Sequence, residues 1–228
     1  MKAQLKRKKL SQRPLPDYTK GEEIFNMTSH AVGTALGIIV TVLCVVTATI
    51  HHNVMGVVSG AIFGATMILL YTISSVYHGL SPKVMGKKVL RVLDHCTIYL
   101  LIAGTYTPLA LCALRAVNRV LGWSIFGIVW GTAAIGILLT AIDMERFKVF
   151  SMICYLAMGW CIVAAFKTTM LALGTGGTVF LIVGGVAYTI GAILYGVGKK
   201  KRYFHSVFHL FVLAGSLLHF FCILLYVM

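Results

Sequence analysis

The strongest constraint on the fold is a set of long, nearly uncharged apolar stretches that recur along the whole chain. Seven of them, separated by short charged or polar connections, lie at 29–50, 54–78, 93–114, 121–142, 148–166, 177–197 and 204–227. Each has the length of about 17–25 residues that a helix needs to span a bilayer, and a helix satisfies its own backbone in lipid. With 59% hydrophobic residues and six acidic ones, the composition is not that of a soluble domain. The sequence predicts an all-α integral membrane protein, a bundle of seven transmembrane helices.

The connections between these stretches are too short to contain a second domain. Residues 1–20 are basic and polar, with Pro14 and Pro16, and are predicted to form a flexible cytoplasmic arm. Residues 21–228 are predicted to form one membrane domain. The first apolar stretch begins near residue 29 and is one of seven, so it is not predicted to be a cleaved signal peptide.

The positive charges are distributed unequally between the two sides of the predicted bundle. All but three of the 20 basic residues lie in the arm or in the connections after the second, fourth and sixth stretches. The exceptions are Arg115, Arg119 and Lys167. This asymmetry predicts a multi-pass protein of the cytoplasmic (inner) membrane with its N-terminus in the cytoplasm and its C-terminus outside. The net charge of +14 therefore indicates contact with membrane lipids and not with nucleic acid. The oligomeric state stays open.

Three histidines and one aspartate are predicted to lie at the same depth, near the cytoplasmic surface. His205 and His209 are four residues apart, so both face one side of the last helix. His78 ends the second stretch and Asp94 begins the third. An acid inside a membrane costs about 2.5–3.5 kcal/mol and usually faces a partner or a wet cavity. Three neutral imidazoles with an open fourth position suit Zn²⁺, with a carboxylate as a further ligand or as a general base.

The other polar residues near this depth leave alternatives open. Ser74, one helical turn before His78, is placed to orient Asp94, a water or a substrate oxygen. His95 points about 100° away from Asp94 and is the weaker ligand candidate. His51, His52 and His219 lie at other depths. The alternative interpretation is that these histidines and Asp94 only form hydrogen bonds between helices.

A second polar group precedes the first apolar stretch. If this part of the chain is helical, Glu23, Asn26 and His30 share one face. They are interpreted either as a polar entry to the first helix or as hydrogen-bonding groups around the metal site.

Several small or unusual residues predict helix packing. A Gly-x-x-x-Gly motif lets helices approach closely in lipid, and we expect the three motifs in this chain to pack inside the bundle, with dimerisation as the alternative: Gly33/Gly37, Gly60/Gly64 and Gly127/Gly131. The six cysteines are expected to be buried and free. Pro108 is expected to kink the third helix, and Gly174–Gly177 to form an outward loop.

The polar motifs together resemble those of the hemolysin III family, the bacterial branch of the progestin and adipoQ receptor family, which includes the adiponectin receptors. The resemblance runs from about residue 20 to the end, and its marks are Glu23-x-x-Asn26-x-x-x-His30, Ser74-x-x-x-His78, Asp94, the run from Leu101 to Pro108, and His205-x-x-x-His209. It implies a seven-helix bundle with zinc held by His78, His205 and His209 and a bound water supported by Asp94 and Ser74.

What the resemblance implies about function is divided. Relatives linked to ceramide hydrolysis favour a zinc-dependent lipid amide or ester hydrolase acting in membrane-lipid homeostasis, with a lipid-like substrate in the bundle cavity. A non-enzymatic, zinc-stabilised sensor or receptor is the alternative. A pore-forming haemolysin is disfavoured because the apolar stretches are those of a resident membrane protein. A retinal-dependent pump is excluded, because the seventh stretch has no lysine for a Schiff base.

Overall fold

The structure, a computed structural model, describes residues 9–198 and 201–228, and these residues are helical almost throughout. The long helices are α1 (Lys20–Ile50), α2 (Val54–Gly79), α3 (Met85–Pro108), α4 (Arg119–Trp160), α5 (Phe166–Val197) and α6 (Phe204–Tyr226). Shorter helical elements at Leu10–Gln12, Leu109–Leu114, Arg115–Val117 and Cys161–Ala165 precede or join them. No strand occurs in the described residues, which confirms the all-α prediction. The first eight residues of the predicted arm, and Lys199 and Lys200, lie outside the described residues.

The described helices form five stretches that are long and apolar enough to cross a membrane. They are Lys20–Ile50, Val54–Gly79, Met85–Val117, Arg119–Val197 and Phe204–Tyr226. Many large apolar side chains on their surfaces are exposed, as lipid-facing side chains are in a membrane protein. The chain is therefore a multi-pass membrane protein. The fourth stretch contains three of the segments predicted from the sequence.

Two residues interrupt this fourth stretch. Asp143 has extended backbone angles, with φ −156° and ψ 87°, and its carboxylate accepts a hydrogen bond of 3.4 Å from the Arg146 amide, as a helix N-cap does. Gly174 has φ 61° and ψ −174°, a conformation that glycine alone adopts readily. The predicted loop over 174–177 is wrong. The chain is helical on both sides of a single non-helical glycine, so the change of direction takes one residue.

Helices α1 and α3 begin earlier than the apolar stretches within them. α1 begins at Lys20 because Thr19 and Glu22 form a capping box, in which each side chain accepts a hydrogen bond from the backbone amide of the other. α3 begins at Met85, eight residues before the predicted start. Hydropathy marks only the part of a helix that lies in hydrocarbon, and both helices continue into polar sequence. The residues from Glu22 to His30 are therefore helical.

The predicted proline kink takes the form of a change in helix type. α3 ends at Pro108, and the chain continues as a π-helix over Leu109–Leu114. Proline has no N–H to donate, so the regular hydrogen-bond pattern is interrupted and the next turns are wider. All six cysteines are free, as the sequence predicts, and four of them are buried. The other two, Cys112 and Cys161, are only partly buried, so the prediction of burial is wrong for them.

Close packing between α1 and α2 depends on their glycines. A Cβ on Gly33 would lie 2.5 Å from the Tyr71 ring, and one on Gly64 would overlap Thr41. The Gly-x-x-x-Gly prediction is confirmed for these two helices. For Gly127 and Gly131 in α4 it is wrong within the described structure, because no heavy atom of another described element lies within 4 Å of either Cβ position.

Candidate metal site

Three histidines from two helices converge at one end of the bundle. His78 lies in the last turn of α2, and His205 and His209 lie in the first two turns of α6. One ring nitrogen from each lies within 4.8 Å of the others. The Nε2 atoms of His205 and His209 are 3.1 Å apart. The ring centroid of His78 lies 5.3 Å from the ring centroid of His205 and 5.0 Å from that of His209. The structure therefore brings together the three residues predicted as metal ligands.

The protonation pattern of this group fits a divalent cation. His78 Nε2 is buried and has no hydrogen-bond partner among the described residues, although buried polar atoms nearly always have one. The facing Nε2 atoms of His205 and His209 cannot both carry a proton at 3.1 Å. A metal ion that accepts lone pairs from all three imidazoles satisfies these atoms together, and three nitrogens are a donor set that zinc prefers. The His78, His205 and His209 site can therefore hold a metal.

Glu23 and Lys87 extend the site behind His78. The His78 Nδ1 atom is 2.6 Å from Glu23 Oε2, and Lys87 Nζ is 2.6 Å from Glu23 Oε1. A carboxylate that accepts the second N–H of a metal-binding histidine fixes the orientation and the tautomer of the ring. The sequence indicated Glu23 through its spacing. It did not indicate Lys87, which we counted among the basic residues of a connection.

Asn26 and His30 lie beside the same histidines. The His30 ring stacks on His209 with centroids 3.7 Å apart and planes 13° apart, and its edge faces Tyr71 at 5.0 Å. Asn26 is fully buried, and its backbone carbonyl faces His209. Of the two interpretations of the Glu23, Asn26 and His30 face, the geometry favours groups packed around the histidines.

Asp94 and Ser74 complete the polar end of the bundle. Ser74 is buried one turn before His78, and its hydroxyl lies beside the Asp94 carboxyl, which also faces His78 and Arg91. Ser74 and Asp94 line the same cavity as His205 and His209. The three predicted ligands thus lie around one point with the residues predicted to support them, and their roles stay predictions. The supporting residues are Glu23, Asn26, His30, Ser74 and Asp94.

The cavity that opens from this point is large and mostly apolar. Its volume is about 840 Å³, within the range of about 300–1,000 Å³ that is usual for small-molecule sites. It reaches from the polar end to His219, which is 14 residues beyond His205 and so about 21 Å further along α6. Its apolar wall includes Leu101, Ile102, Leu109, Ile162, Leu181 and Val212.

The segment Leu10–Tyr18, which we call the strap, covers the polar end of the cavity. The Tyr18 ring stacks on His205 with centroids 4.9 Å apart and lies 5.7 Å from His78. Burial raises the pKa of the Tyr18 phenol well above its usual range, so the side chain is neutral and keeps its donor hydrogen. Tyr18 is therefore part of the wall of the site, and no periodic pattern in the sequence indicates this position.

Cationic side chains of the bundle hold the strap through its backbone. Arg91 donates to the Pro14 carbonyl at 2.9 Å, and Arg202 donates to the Asp17 carbonyl at 2.8 Å. Arg13 pairs with Asp143 at 3.5 Å. The described part of the predicted flexible arm thus packs against the helices, because these contacts satisfy its polar groups. Asp143 and Glu145 pair with Arg13 and Arg91. The only sequence signal for these contacts is the presence of acidic residues in a connection on the same side as the basic segment.

The remaining histidines lie outside the three-histidine group. His95 faces Tyr195, with ring centroids 6.2 Å apart. The His219 ring nitrogen Nε2 donates to the Leu181 carbonyl at 3.0 Å, far along the cavity. Neither is a ligand candidate in this geometry, in agreement with the direction argument for His95 and the depth argument for His219.

Comparison with known proteins places this arrangement in a family. Residues 18–220 match the family described as haemolysin-III related. The chain is 40% identical to Hemolysin-3 of Bacillus cereus over 91% of its length and 92% of the relative's. It is 38% identical to the Hemolysin-3 homolog of Bacillus subtilis (strain 168), over 92% of this chain and 96% of that protein. It is 30% identical to the human monocyte to macrophage differentiation factor over 71% of its length and 67% of that protein. The chain belongs to the haemolysin-III related family.

Proposed function

We propose that the chain crosses the inner membrane seven times, with its N-terminus in the cytoplasm and its C-terminus outside. The non-helical residues Asp143 and Gly174 support this count, because they divide the stretch Arg119–Val197 into three helical parts. The remaining four candidate spans bring the total to seven. The basic residues of the strap, of the α2–α3 connection and of the α5–α6 connection would then lie together on the cytoplasmic side, as the positive-inside rule requires. The three-histidine site would lie beneath the inner leaflet.

We further propose that the site holds zinc through His78, His205 and His209 and that the protein hydrolyses an amide or ester bond of a membrane lipid. The observation that carries this proposal is the position of His205 and His209 on the wall of an 840 Å³ mostly apolar cavity, beside Asp94 and Ser74 and within metal-ligand reach of His78. A structural metal site needs no such cavity and no free carboxylate. A hydrolase that acts on lipids needs both, and a role in membrane-lipid homeostasis would follow.

Each residue around the cavity has a role in this proposal. Zinc bound there would polarise a carbonyl and make a water molecule more acidic. Asp94 is placed to accept the proton of that water as a general base, and Ser74 holds the Asp94 carboxyl in position. The apolar walls take up the acyl chain and exclude bulk water. Tyr18, neutral and stacked on His205, closes the polar end.

A second candidate is a non-enzymatic sensor or receptor in which zinc joins helices. The observation in its favour is that the site ties the end of α2 to the start of α6, and through Glu23 also to α1. In that case Asp94→Asn would leave every function of the protein unchanged. The haemolytic activity suggested by the names of two relatives is not proposed, because purified protein would have to insert from water into a second membrane. Lysis of cells by protein freed of its own membranes would support it.

Two measurements test these proposals in sequence. Elemental analysis of purified protein should give about one zinc per chain for the wild type and far less for His78→Ala. Hydrolysis of lipid amides and esters in vesicles should then be compared for the wild type, His209→Ala and Asp94→Asn, where we expect at least a 100-fold loss in both variants. Zinc binding without any turnover above the His209→Ala rate would leave the sensor as the correct function.

A further inference from the structure

Lys87 is a buried lysine whose ammonium is linked to the His78 ring through the side chain of Glu23. It is 2% exposed, and its ammonium donates to Glu23 Oε1 at 2.6 Å and to the Leu80 carbonyl at 2.8 Å. The Tyr77 ring lies beneath it, with the centroid 5.2 Å from Nζ. A lysine is almost never buried unless it is paired, because removing its charge from water is costly. The position of Lys87 is therefore maintained by specific partners.

Its own helix does not provide a reason for Lys87 to be there. Lys87 lies in the first turn of α3, where the positive end of the helix dipole disfavours a cation, and the N-cap residue Val84 forms no side-chain cap. The ammonium instead points to the C-terminal carbonyls of α2, including that of His78 at 3.5 Å. The negative end of the α2 dipole and the Glu23 carboxylate together offset the charge.

The three side chains form a continuous line. Lys87 binds one oxygen of Glu23, and the other oxygen accepts the Nδ1 hydrogen of His78. A proton on Nδ1 leaves the His78 Nε2 lone pair free, and this atom has no partner among the described residues. If the ammonium were absent, Glu23 would be a mostly buried carboxylate left with its hydrogen bond to the His78 ring. It would then turn toward water or toward another donor.

We propose that Lys87 is a positioning residue of the metal site. It fixes the Glu23 carboxylate so that His78 presents Nε2 to the metal. This inference rests on the proposed metal site and does not depend on lipid hydrolysis.

The test compares zinc affinities of full-length purified variants by competition with a chromophoric chelator. Lys87→Met keeps the length and apolar stem of the side chain and removes the charge, and we expect zinc to bind about 10- to 100-fold more weakly. Lys83→Met is the matched control, because Lys83 is exposed in the same α2–α3 connection, and it should bind within about twofold of the wild type. Lys87→Arg, which keeps the charge, should recover part of the affinity.

A double variant separates positioning from simple stabilisation of α2. Because Lys87 acts through Glu23, adding Lys87→Met to Glu23→Gln should weaken zinc binding no further than Glu23→Gln alone. A purely structural role would lower the melting temperature of the metal-free protein and leave zinc affinity at the wild-type value, which would overturn the inference. If Lys87→Met does not yield folded protein, Lys87→Gln is measured in its place with the same expectation.

The outcomes distinguish this inference from the proposals on which it depends. If the wild-type protein binds no zinc, or binds zinc that His78→Ala does not remove, the metal site and the role of Lys87 are both overturned. Zinc binding that is insensitive to Lys87→Met but weakened by Glu23→Gln would overturn the role of Lys87 alone. Weaker zinc binding by Lys87→Met, together with no lipid hydrolysis by the wild type, would support the role of Lys87 and reject the hydrolase.

Discussion

The same Gly-x-x-x-Gly motif occurs in two regions of the bundle with opposite surroundings. In α1 and α2, Gly33, Gly37 and Gly64 lie directly against side chains of the neighbouring helix. In the first part of α4, Gly127 and Gly131 face open space within the described structure. The motif therefore indicates that a neighbouring helix can approach closely, but it does not determine which helix does so. In the case of α1 the neighbour is α2, because a connection of only three residues joins the two helices.

The difference between the two regions coincides with the position of the site. The contact between Gly33 and Tyr71 lies next to the hydroxyl bond from Tyr71 to Ser216 of α6, which is 2.7 Å long. Helices α1, α2 and α6 are thus joined near the three histidines. Around Gly127 and Gly131, no other described element packs on α4, and the nearby Ile128 and Ile135 are 61% and 58% exposed. We expect the first region to respond to changes at the site and the second not to.

Removal of the proposed zinc ion should produce the largest difference between the two regions. For protein saturated at about 1,000 times its zinc dissociation constant, chelation should lower the free energy of unfolding by about 4 kcal/mol. Hydrogen exchange in detergent should increase in the last turn of α2 and the first turns of α6, and not around Gly127. Equal increases in hydrogen exchange in both regions would show that the metal does not stabilise the region around the site selectively.

Gly64→Leu should have the next largest effect. The new side chain would overlap Thr41 on α1, and overpacking of this kind costs about 1–3 kcal/mol. Thermal unfolding in detergent, followed by loss of the monodisperse peak on size exclusion, measures the change. Since α1 carries Glu23 and His30, zinc affinity should fall as well, and an unchanged affinity would separate helix packing from the site.

Tyr71→Phe should have a smaller effect on the same region. It removes one buried hydrogen bond to Ser216, worth about 1 kcal/mol, while Ser216 keeps its bond of 2.7 Å to the Tyr188 hydroxyl. The ring that packs on Gly33 and on the edge of His30 stays in place. A loss above about 3 kcal/mol in the thermal unfolding measurement would show that the hydroxyl does more than join α2 to α6.

Gly131→Leu should have the smallest effect. No other described element contacts this glycine, so the change in unfolding free energy should stay within about 0.5 kcal/mol. A large loss would mean that this face of α4 is covered in the membrane, and cross-linking of a Gly131→Cys variant would then identify what covers it.

The sequence predicted the positions of the ligands better than their surroundings. His78, His205 and His209 could be placed together because helix periodicity gives the face of the helix on which each residue lies. The membrane-spanning pattern gives its depth. Lys87 could not, because its position depends on how the chain reverses between α2 and α3. Tyr18 could not, because an irregular segment has no period from which its contacts follow. Gly174 was assigned to a loop because glycine-rich sequence does not distinguish a long connection from a single-residue break.

The strap has a practical consequence for anyone who produces this protein. A variant shortened to the first apolar stretch would delete Tyr18 and the carbonyls held by Arg91 and Arg202. The properties of such a preparation would be those of an opened compartment and not those of the native protein. Variants that are meant to report on the site therefore keep residues 10–18 in place.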